Sequence, residues 1–156
     1  MELLVPASVH DEHTELRAEL QRAIDAGGRI TPAARAVAEV LDPHVAREEA
    51  LALPLLSLLP ALTTGALPPE ADAARPLAAR LDVEVPALLA EHRVIAGALK
   101  ALVDAADAEG RPEYVTFVRQ WARHARNEEE LLYPAARLVG EYITLRSQAP
   151  AYACLG

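Results

Sequence analysis

Histidine and glutamate carry the chemistry available to this chain, and their spacing repeats. His44-Val45-Ala46-Arg47-Glu48-Glu49 leads on to Pro54, and His124-Ala125-Arg126-Asn127-Glu128-Glu129 leads on to Pro134. Matched positions lie 80 residues apart (124−44, 128−48, 134−54). A second pair precedes each copy: Glu12-His13 and Glu91-His92, 79 residues apart (92−13). Four of the five histidines therefore belong to an internal repeat, and His10 lies one helical turn before His13. On a helix, residues four apart differ by roughly 40° in direction and one turn in height. His44 with Glu48, and His124 with Glu128, can thus share one inward stripe. Leu41, Leu51 and Leu55 extend the first stripe, and Trp121, Leu131 and Leu132 the second. Unpaired polar groups in an apolar stripe cost several kcal/mol. A divalent or trivalent cation would compensate four imidazoles and two carboxylates converging there.

The expected ligand set is His13, His44, Glu48, His92, His124 and Glu128. Each histidine supplies one nitrogen, and each glutamate can bridge two ions. Octahedral iron or manganese would keep about two further positions for exogenous ligands. Closed structural zinc sites often use sulfur, and the single cysteine, Cys154, stands outside the repeat. The zinc-protease pattern His-Glu-x-x-His is absent. His10 competes with His13, but its repeat counterpart is Leu89, which favours His13; a third-histidine, gating or exposed role stays open for His10. Glu49 and Glu129 point about 100° from their neighbours, towards solvated helix faces. For Glu12 and Glu91 a role in supporting the ligands or admitting ions stays open. Trp121 and Tyr133 are expected to pack in the core.

The elements that must position these groups are helices. Ala and Leu dominate a chain that is 52% hydrophobic and 4% aromatic, which suits packed helices better than a β-sandwich. A first helix is expected from about Ser8 to Ala26, stopped by Gly27-Gly28. A second begins with Thr31 as its N-cap and Pro32 in its first turn, passes Pro43 with a bend just before His44, and runs towards Leu53. Residues 60–82, punctuated by Pro60, Gly65, Pro68, Pro69 and Pro76, read as a crossover with room for a short helix over Glu70–Arg80. A third long helix is expected over Val83–Ala108, and a fourth from Arg111-Pro112 to about Arg146, with Pro134 as a bend point. These make an all-α, antiparallel four-helix bundle with a longer crossover between helices 2 and 3. The repeat makes it two helical hairpins about a pseudo-two-fold axis. Residues 1–148 form the expected domain and 149–156 a C-terminal tail.

The formal charge of −8, with Lys100 the sole lysine, argues against nucleic acid as a partner. No apolar run reaches the roughly 18 residues of a membrane span, and no secretory signal is recognisable. A cytoplasmic location is the default expectation.

The order His13, His44-x-x-x-Glu48, His92, His124-x-x-x-Glu128, with its trailing prolines, resembles the hemerythrin-like HHE cation-binding domain family. The resemblance covers about residues 8–146. It implies a four-helix bundle around a non-heme di-iron centre, with two iron ions joined by an oxo or hydroxo bridge. It also implies that an open iron position meets O2, peroxide or nitric oxide. His13, His44, His92 and His124 would be terminal ligands, and Glu48 and Glu128 bridges. Two departures separate the chain from the oxygen carriers of that family. Ala96 stands where they have a second histidine on the third helix, and Glu128 replaces an aspartate one position later. The leading expectation is therefore a di-iron protein that binds or reduces a small oxidant, with peroxide- or NO-directed oxidoreductase activity, or buffers iron. Competing expectations are an iron- or oxygen-responsive sensor acting through a protein partner, and a metal-free helical interaction module.

Overall fold

The computed structural model describes residues 3–148. Helices α1 (Ala7–Ile24), α2 (Ile30–Leu51), α3 (Leu53–Leu56), α4 (Leu59–Leu62), α5 (Ala71–Glu109), α6 (Pro112–Asn127) and α7 (Tyr133–Gln148) follow in order. A π-helical turn, Glu128–Leu132, joins α6 to α7. No strand occurs among the described residues. Four limbs make the bundle: α1, α2, α5, and α6 with α7. Neighbouring limbs pack as α1 on α2, α2 on α5, α5 on α6 and α7, and α6 on α1. No helix among the described residues is long and apolar enough to cross a membrane. The expected tail, with Cys154, lies outside the described residues.

Apolar periodicity builds two core clusters. One gathers Leu16, Leu20, Val37, Leu41, Leu102 and Phe117 with their neighbours. The other gathers Leu53, Leu55, Leu81, Leu88, Val139 and Ile143 with theirs. Each limb passes from one cluster to the other, and the buried His and Glu residues sit where it changes over. His92, for example, lies between Leu88 and Ile95. The polar groups thus form a layer between two greasy halves.

Four local expectations need correction. The third long helix begins at Ala71, not near Val83, and runs 39 residues with Pro76 and Pro86 inside it. An interior proline costs about 3 kcal/mol or more by removing a hydrogen bond and crowding the preceding turn. Burying Leu81, Leu88, Ile95 and Leu102 completely contributes about 1.5–3 kcal/mol apiece, which offsets both prolines and carries the helix through. At the start of α2, Thr31 is not the cap. Its hydroxyl donates to the carbonyl of Ile24 and accepts from the Gly27 N–H, which ties off the turn instead. Gly27 and Gly28 take φ values of 82° and 58°, a left-handed pair that favours glycine.

The fourth helix does not continue as α-helix through its motif. Pro134 cannot donate to the Glu130 carbonyl, and the chain widens into a π turn in which the Tyr133 N–H bonds the Glu128 carbonyl. Leu131, expected on the inner stripe, is consequently 63% exposed. Finally, α5 and α7 approach very closely where Gly140 faces Ala78: a Cβ built on Gly140 would collide with the Ala78 Cβ.

Candidate metal centre

All six expected ligand residues come together, and all are buried, none more than 4% exposed. α1 contributes His13, α2 His44 and Glu48, α5 His92, α6 His124, and the π turn Glu128. They form two overlapping groups with ligand atoms close enough to share an ion: His44, Glu48, His92 and Glu128, and His13, His124 and Glu128. Glu128 belongs to both. Its Oε1 lies 2.8 Å from Nε2 of His124 and 3.4 Å from Nε2 of His13, while its Oε2 lies 3.3 Å from Nε2 of His92. Glu48 leans to one side, with Oε2 3.4 Å from Nε2 of His44 and 3.9 Å from Nε2 of His13.

The outer nitrogens are equally organised. Nδ1 of His13 donates to Glu49 (3.0 Å), Nδ1 of His44 to Glu91 (2.9 Å), and Nδ1 of His92 to Glu129 (2.8 Å). Nδ1 of His124 approaches Glu12 at 3.2 Å. Every histidine therefore leans on a glutamate of the next limb, in the same rotational sense, until the circle closes on α1. This corrects the expectation that Glu49 and Glu129 only face solvent, and it resolves the open role of Glu12 and Glu91. The four glutamates recur at the same 79- and 80-residue offsets as the ligands, which is the sequence signal that marks them. A carboxylate on Nδ1 fixes the proton there and turns the Nε2 lone pair inward.

That tautomer leaves lone pairs facing one another. Nε2 of His13 and Nε2 of His124 are 3.1 Å apart. Two neutral imidazoles cannot satisfy each other at that distance when both protons are committed outward; a cation between them and Glu128 can. Adjacent corners of an octahedron with bonds of about 2.1 Å are roughly 3.0 Å apart, which matches this spacing. Nε2 of His44, Oε2 of Glu48 and Oε2 of Glu128 are buried with no hydrogen-bond partner among the described residues. Each orphan costs about 1–3 kcal/mol unless something binds it. The donor set and its unsatisfied atoms fit a metal.

Protonation in the metal-free chain follows the same geometry. Burial, reinforced by the charge of Glu128, pushes the Glu48 carboxyl well above its usual range. Burial alone would raise Glu128 too, but contacts from His124, His13 and His92 outweigh it and hold this carboxyl well below. Burial lowers His44, against the pull of Glu91. In His92 and His124 burial also acts downward, but the Glu128 carboxylate beside each ring, helped by Glu129 and Glu12 respectively, turns the net shift upward.

Tyr133 is the residue whose role the sequence reading missed. It is buried in the core, as expected, but its hydroxyl donates to Oε1 of Glu48 and lies 3.4 Å from Nε2 of His92. Trp121 packs edge-on against the His92 ring, with centroids 5.7 Å apart. His10 stays outside both groups: its ring is 59% exposed and reaches only to Glu49, at 4.0 Å.

A helical bundle that closes a buried cage of imidazole and carboxylate between its limbs belongs to the class of cation-binding helical proteins. The chain is a member of the hemerythrin family: the model of the hemerythrin HHE cation-binding domain matches residues 6–136. No curated protein and no solved structure matches the chain.

Proposed function

We propose that the cage holds two iron ions, and that the protein binds or reduces a small oxidant (O2, peroxide or NO) or buffers iron. The observation that carries this reading is the sharing of Glu128 between two histidine pairs. On this reading His44, His92 and Glu48 would hold one ion and His13 and His124 the other, with Glu128 shared between them. An iron pair, when bound, supplies redox equivalents to a small ligand at an open position. The chain's own residues prepare that chemistry. Glu12, Glu49, Glu91 and Glu129 keep the four Nε2 atoms free to ligate. The Tyr133 hydroxyl places a donor beside Glu48. The apolar clusters on either side keep bulk water from the polar layer, which strengthens every interaction within it. Carboxylate-rich ligation favours higher iron oxidation states, which makes peroxide the preferred oxidant within this reading. The proposal includes a single domain over residues 1–148, main helices running antiparallel, and action in the cytoplasm.

Metal analysis with an optical spectrum, on protein purified under iron-replete conditions, tests the reading. About two irons per chain, with oxo-to-iron charge-transfer bands, are expected. Metal-free protein would refute it and leave a metal-free helical interaction module instead; iron retained unchanged in His44→Ala and His124→Ala would place the metal outside the cage and refute it as well.

A further inference from the structure

The repeat predicts that the two halves of the cage should be alike, and one residue prevents this. Tyr133 occupies the position that the first half gives to Leu53 (133−53, the same 80 residues). Leu53 is fully buried and brings no polar atom to the cage. Tyr133 donates to Oε1 of Glu48, so that oxygen is engaged and Oε2 alone faces the ligand nitrogens. The ring of Tyr133 lies nearly parallel to that of His92, at 19° with centroids 5.9 Å apart, which fixes where the hydroxyl points. Among the described residues no such tether acts on Glu128, the repeat partner of Glu48, whose two oxygens reach opposite sides of the layer.

We propose that Tyr133 is a positioning residue that holds Glu48 on the His44–His92 side and so makes the two metal subsites inequivalent. One subsite then has four protein groups, His44, Glu48, His92 and Glu128. The other has three, His13, His124 and Glu128. The richer subsite fills first. The poorer one fills second. This inference rests on the proposed two-ion reading and adds an order of loading.

Cobalt(II) titration of the metal-free full chain, followed by ligand-field absorption and calorimetry, tests it. The wild-type chain should bind two ions in two steps separated at least roughly tenfold, a scale set by what one supporting hydrogen bond does to metal affinity. His13→Ala should keep the tighter step and lose the weaker, while His44→Ala should lose the tighter. Tyr133→Phe should narrow the separation by about tenfold or more, with helical circular dichroism unchanged. A merely structural role for Tyr133 would shift both steps together and leave their ratio alone. Two ions of equal affinity in the wild type, an unchanged ratio in Tyr133→Phe, or loss of the tighter step in His13→Ala would each overturn the ordering and leave the metal centre standing. Absence of cobalt binding by the wild-type chain would refute the metal centre and the ordering together. Should Tyr133→Phe fail to fold, the two histidine variants decide the order by themselves.

Discussion

Replacing Glu91 by glutamine isolates what the outer carboxylates do. Glu91 accepts from Nδ1 of His44 through Oε2 (2.9 Å) and from Arg47 through Oε1. A hydrogen bond to a charged group contributes about 1.5–3 kcal/mol, and a neutral one about 1 kcal/mol. Glu91 is 30% exposed and shares its charge with Arg47, so solvent and the guanidinium take part of that difference. The amide oxygen of glutamine can still accept from Nδ1. The net loss is therefore about 1–1.5 kcal/mol, or roughly tenfold in affinity for the ion that His44 holds. Competition for iron(II) between the metal-free chain and a chromophoric chelator, under anaerobic conditions, measures it. Glu91→Gln should weaken one binding step about tenfold, at the low end of what such outer partners contribute, while thermal unfolding of the metal-free protein moves little. Glu49→Gln, which loosens His13 instead, should weaken the other step. If both variants fold and bind iron within twofold of the wild type, the outer carboxylates do not support the ligands.

Four further outcomes follow from the geometry. Metal binding should release protons and weaken as pH falls. His92 and His124 are raised above 6.5 and so hold protons that a metal must displace even above that pH, whereas the lowered His44 competes only below it; calorimetry in buffers of different ionisation enthalpy counts the protons. In the metal-free protein the same two raised histidines contribute stability that is full below pH 6.5 and is lost as pH rises through their folded values, which thermal unfolding against pH should register. Gly140→Val should destabilise the protein by about 1–3 kcal/mol by forcing α7 off Ala78, a drop of several degrees in melting temperature, with the metal spectrum of the remaining folded protein unchanged. His10→Ala should leave metal content and affinity unaltered, since its exposed ring reaches no further than Glu49.

The cage was legible in the sequence because two signals coincided: a four-residue spacing that any helix converts into a shared stripe, and offsets of 79 and 80 residues that pair the stripes. The repeat likewise separated His13 from His10. What it hid was direction. A residue next to a ligand is rotated about 100° on its own helix, yet that rotation aims Glu49, Glu91, Glu129 and Glu12 at the neighbouring limb rather than only at water. Tyr133 reads as core and its hydroxyl contact stays hidden, because burial and a polar contact at the same site cannot be separated by periodicity. Prolines misled in both directions. Pro76 and Pro86 lie within one long helix because packing outweighs their cost, while Pro134 does interrupt its helix, as a π turn rather than a bend. Pro54 stands at the matching place in the first copy, but there α2 ends at Leu51 and a one-turn helix follows. The same motif thus yields two backbones, and side-chain repeats report on it only approximately.

The circle of histidine–glutamate contacts has one more consequence, for how the chain chooses its fold. Four amphipathic limbs of similar composition could assemble in either circular order, clockwise or anticlockwise, with nearly the same apolar burial. In the order observed, each imidazole on one limb meets a carboxylate on the next. In the reversed order those same side chains would meet the wrong neighbour, and four buried rings would lose their acceptors, at about 1–3 kcal/mol for each group left unpaired. The contacts that ready the histidines for a ligand therefore also act as a lock on topology. A chain that mis-threads its limbs would forfeit both the site and much of its stability.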